Sequence, residues 1–159
     1  GDVDLIVGRM ISRDTVGLTF EMFYEEDIAF VVSAKHPLVL ARKLQLDMLL
    51  NFPVLTWPRG STVRQTIEDF LFAHNFQGSI PFIDSQSEVF SRAWVYNNDA
   101  VWIVPVGLVE VDLKSEWMTI LSFCVDYVLT CNFLELSRSV ECKSLDIATY
   151  VCRLAEELR

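Results

Sequence analysis

Val54-Leu55-Thr56-Trp57-Pro58-Arg59-Gly60-Ser61-Thr62-Val63-Arg64 sets an apolar strand, a turn and the opening of a helix one after another. Val54–Trp57 is β-branched and aromatic, and Gly60-Ser61-Thr62 is a turn set directly after that strand and directly before a helix. Beyond the turn Val63, Ile67, Phe70, Leu71 and His74 recur on one helical face. The same alternation runs along the chain. Val3–Val7, Ile28–Val32, Pro81–Ile83, Val101–Val104 and Met118–Leu121 read as further strands. Leu44, Leu46, Leu49 and Leu50 read as a short helix. Ser85-x-x-Glu88 has the form of a capping box with Ser85 as N-cap, followed by a buried stripe of Val89, Phe90, Ala93 and Trp94. Ser144–Arg159 reads as a terminal amphipathic helix. Strands alternating with helices predict an α/β fold with a largely parallel sheet. Ser33-Ala34-Lys35-His36-Pro37, where an apolar strand meets a polar stretch, is the boundary between two lobes, and Tyr127–Cys131 is the expected return strand.

The chain has 159 residues, enough for one domain with a core that needs neither disulfides nor metals. With 22 acidic against 13 basic side chains its formal charge is −9, which excludes nucleic-acid binding by this part alone, since that affinity comes from Lys and Arg on phosphates. Nine of the 13 cations are Arg, the residue suited to bidentate carboxylate recognition. No apolar run reaches the roughly 18–20 residues that span a bilayer, so no membrane is expected as a partner. Cys124, Cys131, Cys142 and Cys152 show no C-x-x-C spacing, and only His36 and His74 could complement them, so no metal is expected. Gly1-Asp2-Val3-Asp4-Leu5-Ile6-Val7 begins inside an apparent strand, the mark of a piece of a longer protein.

Catalytic signatures are absent. There is no G-x-S-x-G elbow, no G-x-G-x-x-G and no P-loop, so neither an enzyme nor a cofactor is expected. His36, beside Pro37, is expected to be exposed. The best-formed feature is an anion site: a helix N-terminus presents backbone N–H groups and the positive end of its dipole. Arg59, Gly60, Ser61 and Thr62 form its approach, with Arg64 flanking. A plain N-cap with surface arginines accounts for the same residues. Ser85 and Ser87, and Arg9 after the first strand, occupy the position beyond a strand's carboxyl end where α/β folds bind ligands. Each is equally readable as an ordinary cap or turn.

Gly1-Asp2-Val3-Asp4-Leu5-Ile6-Val7-Gly8-Arg9 resembles the G-x-L-D-L-x-I-G strand of the effector-binding domain of LysR-type transcriptional regulators. Tyr24–Val32, followed by His36-Pro37-Leu38, resembles the family's strand pair ending in H-P-L. Asp99-Ala100-Val101-Trp102-Ile103-Val104-Pro105 is similar to its G-x-G-I-A-L-L-P strand. The D-A-V-W form, with Pro58-Arg59-Gly60, is most similar to the subgroup that regulates protocatechuate operons. The resemblance covers residues 1 to about 123.

It implies two Rossmann-like lobes of the type 2 periplasmic-binding-protein kind. Lobe I would comprise residues 1–34 and 126–159, and lobe II residues 35–125. The family's domain carries two further strands and two helices ahead of the position of Gly1, so lobe I would be incomplete. The DNA-binding helix-turn-helix would lie outside this chain. The implied function is a cytoplasmic, non-enzymatic sensor that binds a small anionic effector, an aromatic-degradation intermediate, between its lobes. Arg9, Arg59, Gly60, Ser61, Thr62, Ser85 and Ser87 occupy the matching positions. The full-length protein would be a homodimer or homotetramer that reaches DNA only through the missing domain. A periplasmic-type solute-binding protein is the alternative with the same architecture.

Overall fold

The computed structural model describes residues 5–9, 18–19, 22–76, 78–123 and 129–139, with side-chain surroundings for 26–76 and 78–123. The chain divides into two compact units, Gly1–Glu26 with Asn132–Arg159, and Asp27–Cys131. In the first unit β1 (Leu5–Arg9) and β2 (Leu18–Thr19) both pair antiparallel with β8 (Leu129–Ser139). The register slips between Gly8 and Arg9, a β-bulge that leaves Arg9 opposite Phe133.

The second unit holds β3 (Met22–Ser33) from Asp27 onward, then β4 (Val54–Thr56), α1 (Thr62–Ala73), β5 (Phe82–Asp84) and α2 (Glu88–Asn97). β6 (Val101–Pro105), α3 (Glu110–Lys114) and β7 (Met118–Ile120) complete it. β5, β4 and β6 lie side by side and parallel, because α1 and α2 supply the long crossovers that parallel pairing requires. β3 runs antiparallel to both β6 and β7, so the sheet is mixed rather than largely parallel. It reaches β4 through two 3-10 turns, Pro37–Leu40 and Leu46–Asn51; the expected leucine helix is the second of these. Ile28–Val32 pair with Val101–Pro105, so those residues pack with the second unit.

Successive strand residues face opposite sides, and two cores result. Ile28, Phe30, Val32, Val54, Val101 and Ile103 pack under Val63, Ile67, Phe70 and Leu71 of α1. Ala29, Val31, Leu55, Trp102 and Val104 pack with Val95 of α2, Val109 and Met118. All five residues of β6 are buried, as expected for a strand covered on both faces. The α1 stripe holds as the sequence pattern predicts, with His74 as C-cap. The α2 stripe does not. Ser91 and Val95 are its buried residues, while Val89 is 78% exposed and Phe90 and Ala93 face outward. Its apolar positions span an arc wider than the face that Leu55 and Trp102 cover. The expected terminal helix Ser144–Arg159 lies outside the described residues, as do Cys124, Cys142, Cys152 and the start of the return strand at Tyr127. No helix among the described residues is long and apolar enough to cross a membrane.

Candidate functional site

Thr56 and Asp84 are the last residues of two adjacent parallel strands and stand opposite each other. The loops that follow therefore leave the sheet together, and the Ser85 amide donates to the Thr56 carbonyl at 2.9 Å. In the first loop Ser61 N–H closes a turn on the Pro58 carbonyl (3.2 Å), and Gly60 takes φ +88°, a left-handed conformation that glycine adopts without strain. Ser61 is the N-cap of α1: its Oγ accepts from the Arg64 amide at 3.2 Å. Thr62 opens the helix and accepts the Thr66 hydroxyl on its carbonyl. Arg59 is exposed on the turn.

The second loop departs from the expected capping box. Ser87, not Ser85, caps α2, its Oγ accepting from the Phe90 amide at 3.2 Å. Ser85 instead bends the approach, its Oγ accepting from the Ser87 amide at 3.1 Å. A serine two residues ahead of another can form this local turn and leave the cap to the second. The structure thus brings Arg59, Gly60, Ser61, Thr62, Ser85 and Ser87 to one end of one sheet. Arg9 ends β1 in the other unit, and its side chain lies outside the described set.

Arg64 does not flank the approach from the surface. It is 3% exposed, with Nε on Glu68 Oε1 (2.7 Å), Nη1 on Asp84 Oδ1 (2.8 Å) and on the Trp57 carbonyl (3.4 Å), and Cζ 4.0 Å from the centre of the Phe82 ring. Its charge is met by two carboxylates, which leaves Arg59 as the exposed cation of the two. The Glu68 spacing, four residues on, was visible in the sequence; the Asp84 contact, twenty residues away, needs the fold. Thr56 was also missed. It is 1% exposed, it shares the α1 face of β4 with Val54, and its Oγ1 has no hydrogen-bond partner among the described residues.

His36 is buried, against the expectation of exposure. Its Nδ1 accepts from the Leu38 amide at 3.1 Å and caps the 3-10 turn, and its ring lies 4.6 Å from that of Phe52. Burial lowers its pKa below the ordinary histidine value, with the charge of Asp99 pulling the other way. No cluster of metal-ligating side chains occurs among the described residues.

Residues 1–123 match the LysR substrate binding domain. The chain belongs to that family. It is 36% identical over 122 residues to the HTH-type transcriptional regulator PcaQ of Agrobacterium fabrum, a match covering 76% of this chain and 39% of PcaQ. The regulatory domain of Synechocystis PCC6803 CcmR, solved in complex with 2-PG, superposes with a TM-score of 0.76 at 13% identity, over 97% of this chain and 73% of that one. The effector binding domain of QuiR, in complex with shikimate, gives 0.69 at 15% identity, over 98% and 73%. The LysR domain fold is therefore the type 2 periplasmic-binding-protein-like α/β architecture, and its role is regulatory rather than catalytic.

Proposed function

We propose that this LysR domain senses a small anionic effector, an intermediate of aromatic degradation, on behalf of a DNA-binding regulator. The observation that carries the reading is the pair of serine-capped helix N-termini set side by side at the carboxyl ends of β4 and β5. Each offers backbone N–H groups and a dipole of the sign that an anion needs. Arg59 adds an exposed guanidinium, Gly60 a close approach without a side chain, and Ser61, Thr62, Ser85 and Ser87 hydroxyls. Charge-assisted hydrogen bonds contribute about 1.5–3 kcal/mol each, so three or four reach the roughly 8 kcal/mol of micromolar binding. The likeness to PcaQ supports an aromatic-pathway effector, and QuiR and CcmR are relatives in fold solved with small ligands.

The effector changes transcription only through a difference in affinity between two arrangements of the regulator. DNA is held by a helix-turn-helix elsewhere in the full-length protein, which works in the cytoplasm as a homodimer or homotetramer. A thermal-shift titration of the full-length protein with cis,cis-muconate, carboxymuconate, β-ketoadipate and citrate tests this. At least one raises Tm, and Arg59→Ala weakens that rise. No shift with any of the four rejects the anionic effector.

A further inference from the structure

Two loops that bind one ligand must keep a fixed spacing, and in this protein one side chain spans them. Arg64 lies on α1, but its Nη1 reaches Asp84 Oδ1 at 2.8 Å, the residue that leads directly into the Ser85–Ser87 turn. The same nitrogen reaches back 3.4 Å to the Trp57 carbonyl at the start of the other loop. The Arg64 amide is meanwhile held by Ser61 Oγ. We infer that Arg64 is a positioning residue that locks the β4–α1 and β5–α2 loops into one unit, so that both helix N-termini are presented at a preset separation. The inference rests on the reading of these loops as the effector site.

The geometry separates this role from simple stabilisation. Glu68 is on the same helix as Arg64, so the Nε–Glu68 pair steadies the side chain without joining anything distant. Asp84 ends β5 and Trp57 follows β4, so among the Arg64 contacts these two join the two strand ends, beside the backbone bond from Ser85 to Thr56. The task suits arginine. Its planar fork serves several acceptors at once, and its flat face rests on Phe82; a lysine ammonium brings the charge without the fork. Preset spacing matters to a ligand because ordering the loops is then done before binding rather than at its expense.

The test is residue-resolved amide hydrogen exchange on the full-length protein, comparing wild type with Asp84→Ala, Arg64→Lys and Glu68→Ala. The reporters are the amides of Ser61 and Ser85, one in each loop, each with a defined backbone acceptor. Asp84→Ala and Arg64→Lys speed exchange at both reporters by about tenfold, while Glu68→Ala leaves both within about twofold. If Asp84→Ala speeds Ser85 alone, or if Glu68→Ala matches it at both, Arg64 does not couple the loops. A calorimetric titration with shikimate and cis,cis-muconate adds the ligand arm: Asp84→Ala and Arg64→Lys weaken the bound probe about fivefold, and Glu68→Ala does not. Equal affinity across the variants overturns the positioning role. Failure of wild type to bind either probe counts against the effector site, and the exchange pattern then decides the coupling by itself.

Discussion

α1 and α2 begin alike and settle differently. Each follows a parallel strand, and each is capped by a serine whose Oγ accepts the amide three residues on. From there α1 turns a continuous stripe inward, Val63, Ile67, Phe70 and Leu71, with Arg64 clamped beside it. α2 buries Ser91 and Val95 and leaves Val89 in solvent. The contrast teaches that a cap fixes where a helix starts, whereas the neighbouring sheet decides which face is buried. The largest expected effect tests that division. Ile67→Ala, at a fully buried site, costs about 3 kcal/mol of unfolding free energy in urea, whereas Val89→Ala stays within about 0.5 kcal/mol. A Val89→Ala cost approaching that of Ile67→Ala would mean that the stripe expected from the sequence is the buried one after all.

The caps give a smaller effect and sharpen the likeness between the helices. Ser61→Ala and Ser87→Ala each cost about 1 kcal/mol, because each leaves a first-turn amide without its acceptor. Ser85→Ala costs less than either, since the Ser85 hydroxyl bends the loop and caps nothing. Thermal unfolding of the three variants ranks them. Ser85→Ala as the most damaging would restore the capping box that Ser85 and Glu88 spell.

Why one helix was legible and the other was not follows from the same physics. The α1 stripe could be read because its apolar residues occupy one face and its outer positions are mostly polar. In α2, Val89, Phe90, Ala93 and Trp94 form an equally good stripe on paper, but of these only Trp94 packs, partly buried, against the core of Leu55 and Trp102, which buries Val95 instead. The strands were legible because β4, β5 and β6 are short apolar runs between turn residues. The direction of β3 was not, for strand polarity depends on how the chain returns. At the candidate site the Gly60-Ser61-Thr62 turn ahead of α1 is legible in local chemistry, whereas the local pattern spells Ser85, not Ser87, as the cap of α2. Thr56 and the Arg64–Asp84 contact are not legible there, because both arise only when β4 and β5 lie side by side. His36 misled for a related reason: a histidine before proline reads as a polar turn, yet its ring finishes the core beside Phe52.

That histidine gives the smallest expected effect, and it probes the far end of α2, where Asp99 follows the helix. Because burial lowers the His36 pKa in the folded protein, the unfolded chain takes up the proton first as pH falls below the ordinary value of 6.5. Stability is therefore full above 6.5 and declines as pH falls from there towards the lowered folded value, the sign that linkage requires when the unfolded state binds more protons. Urea midpoints at pH 7.5 and 5.5 measure the decline, and His36→Asn, which keeps a capping acceptor for Leu38, removes the part due to this residue. Asp99→Asn takes away the charge that favours the imidazolium, so it makes the decline steeper. If Asp99→Asn made it shallower instead, Asp99 would not be acting on His36, and the tie between the end of α2 and the turn at Pro37–Leu40 would be lost.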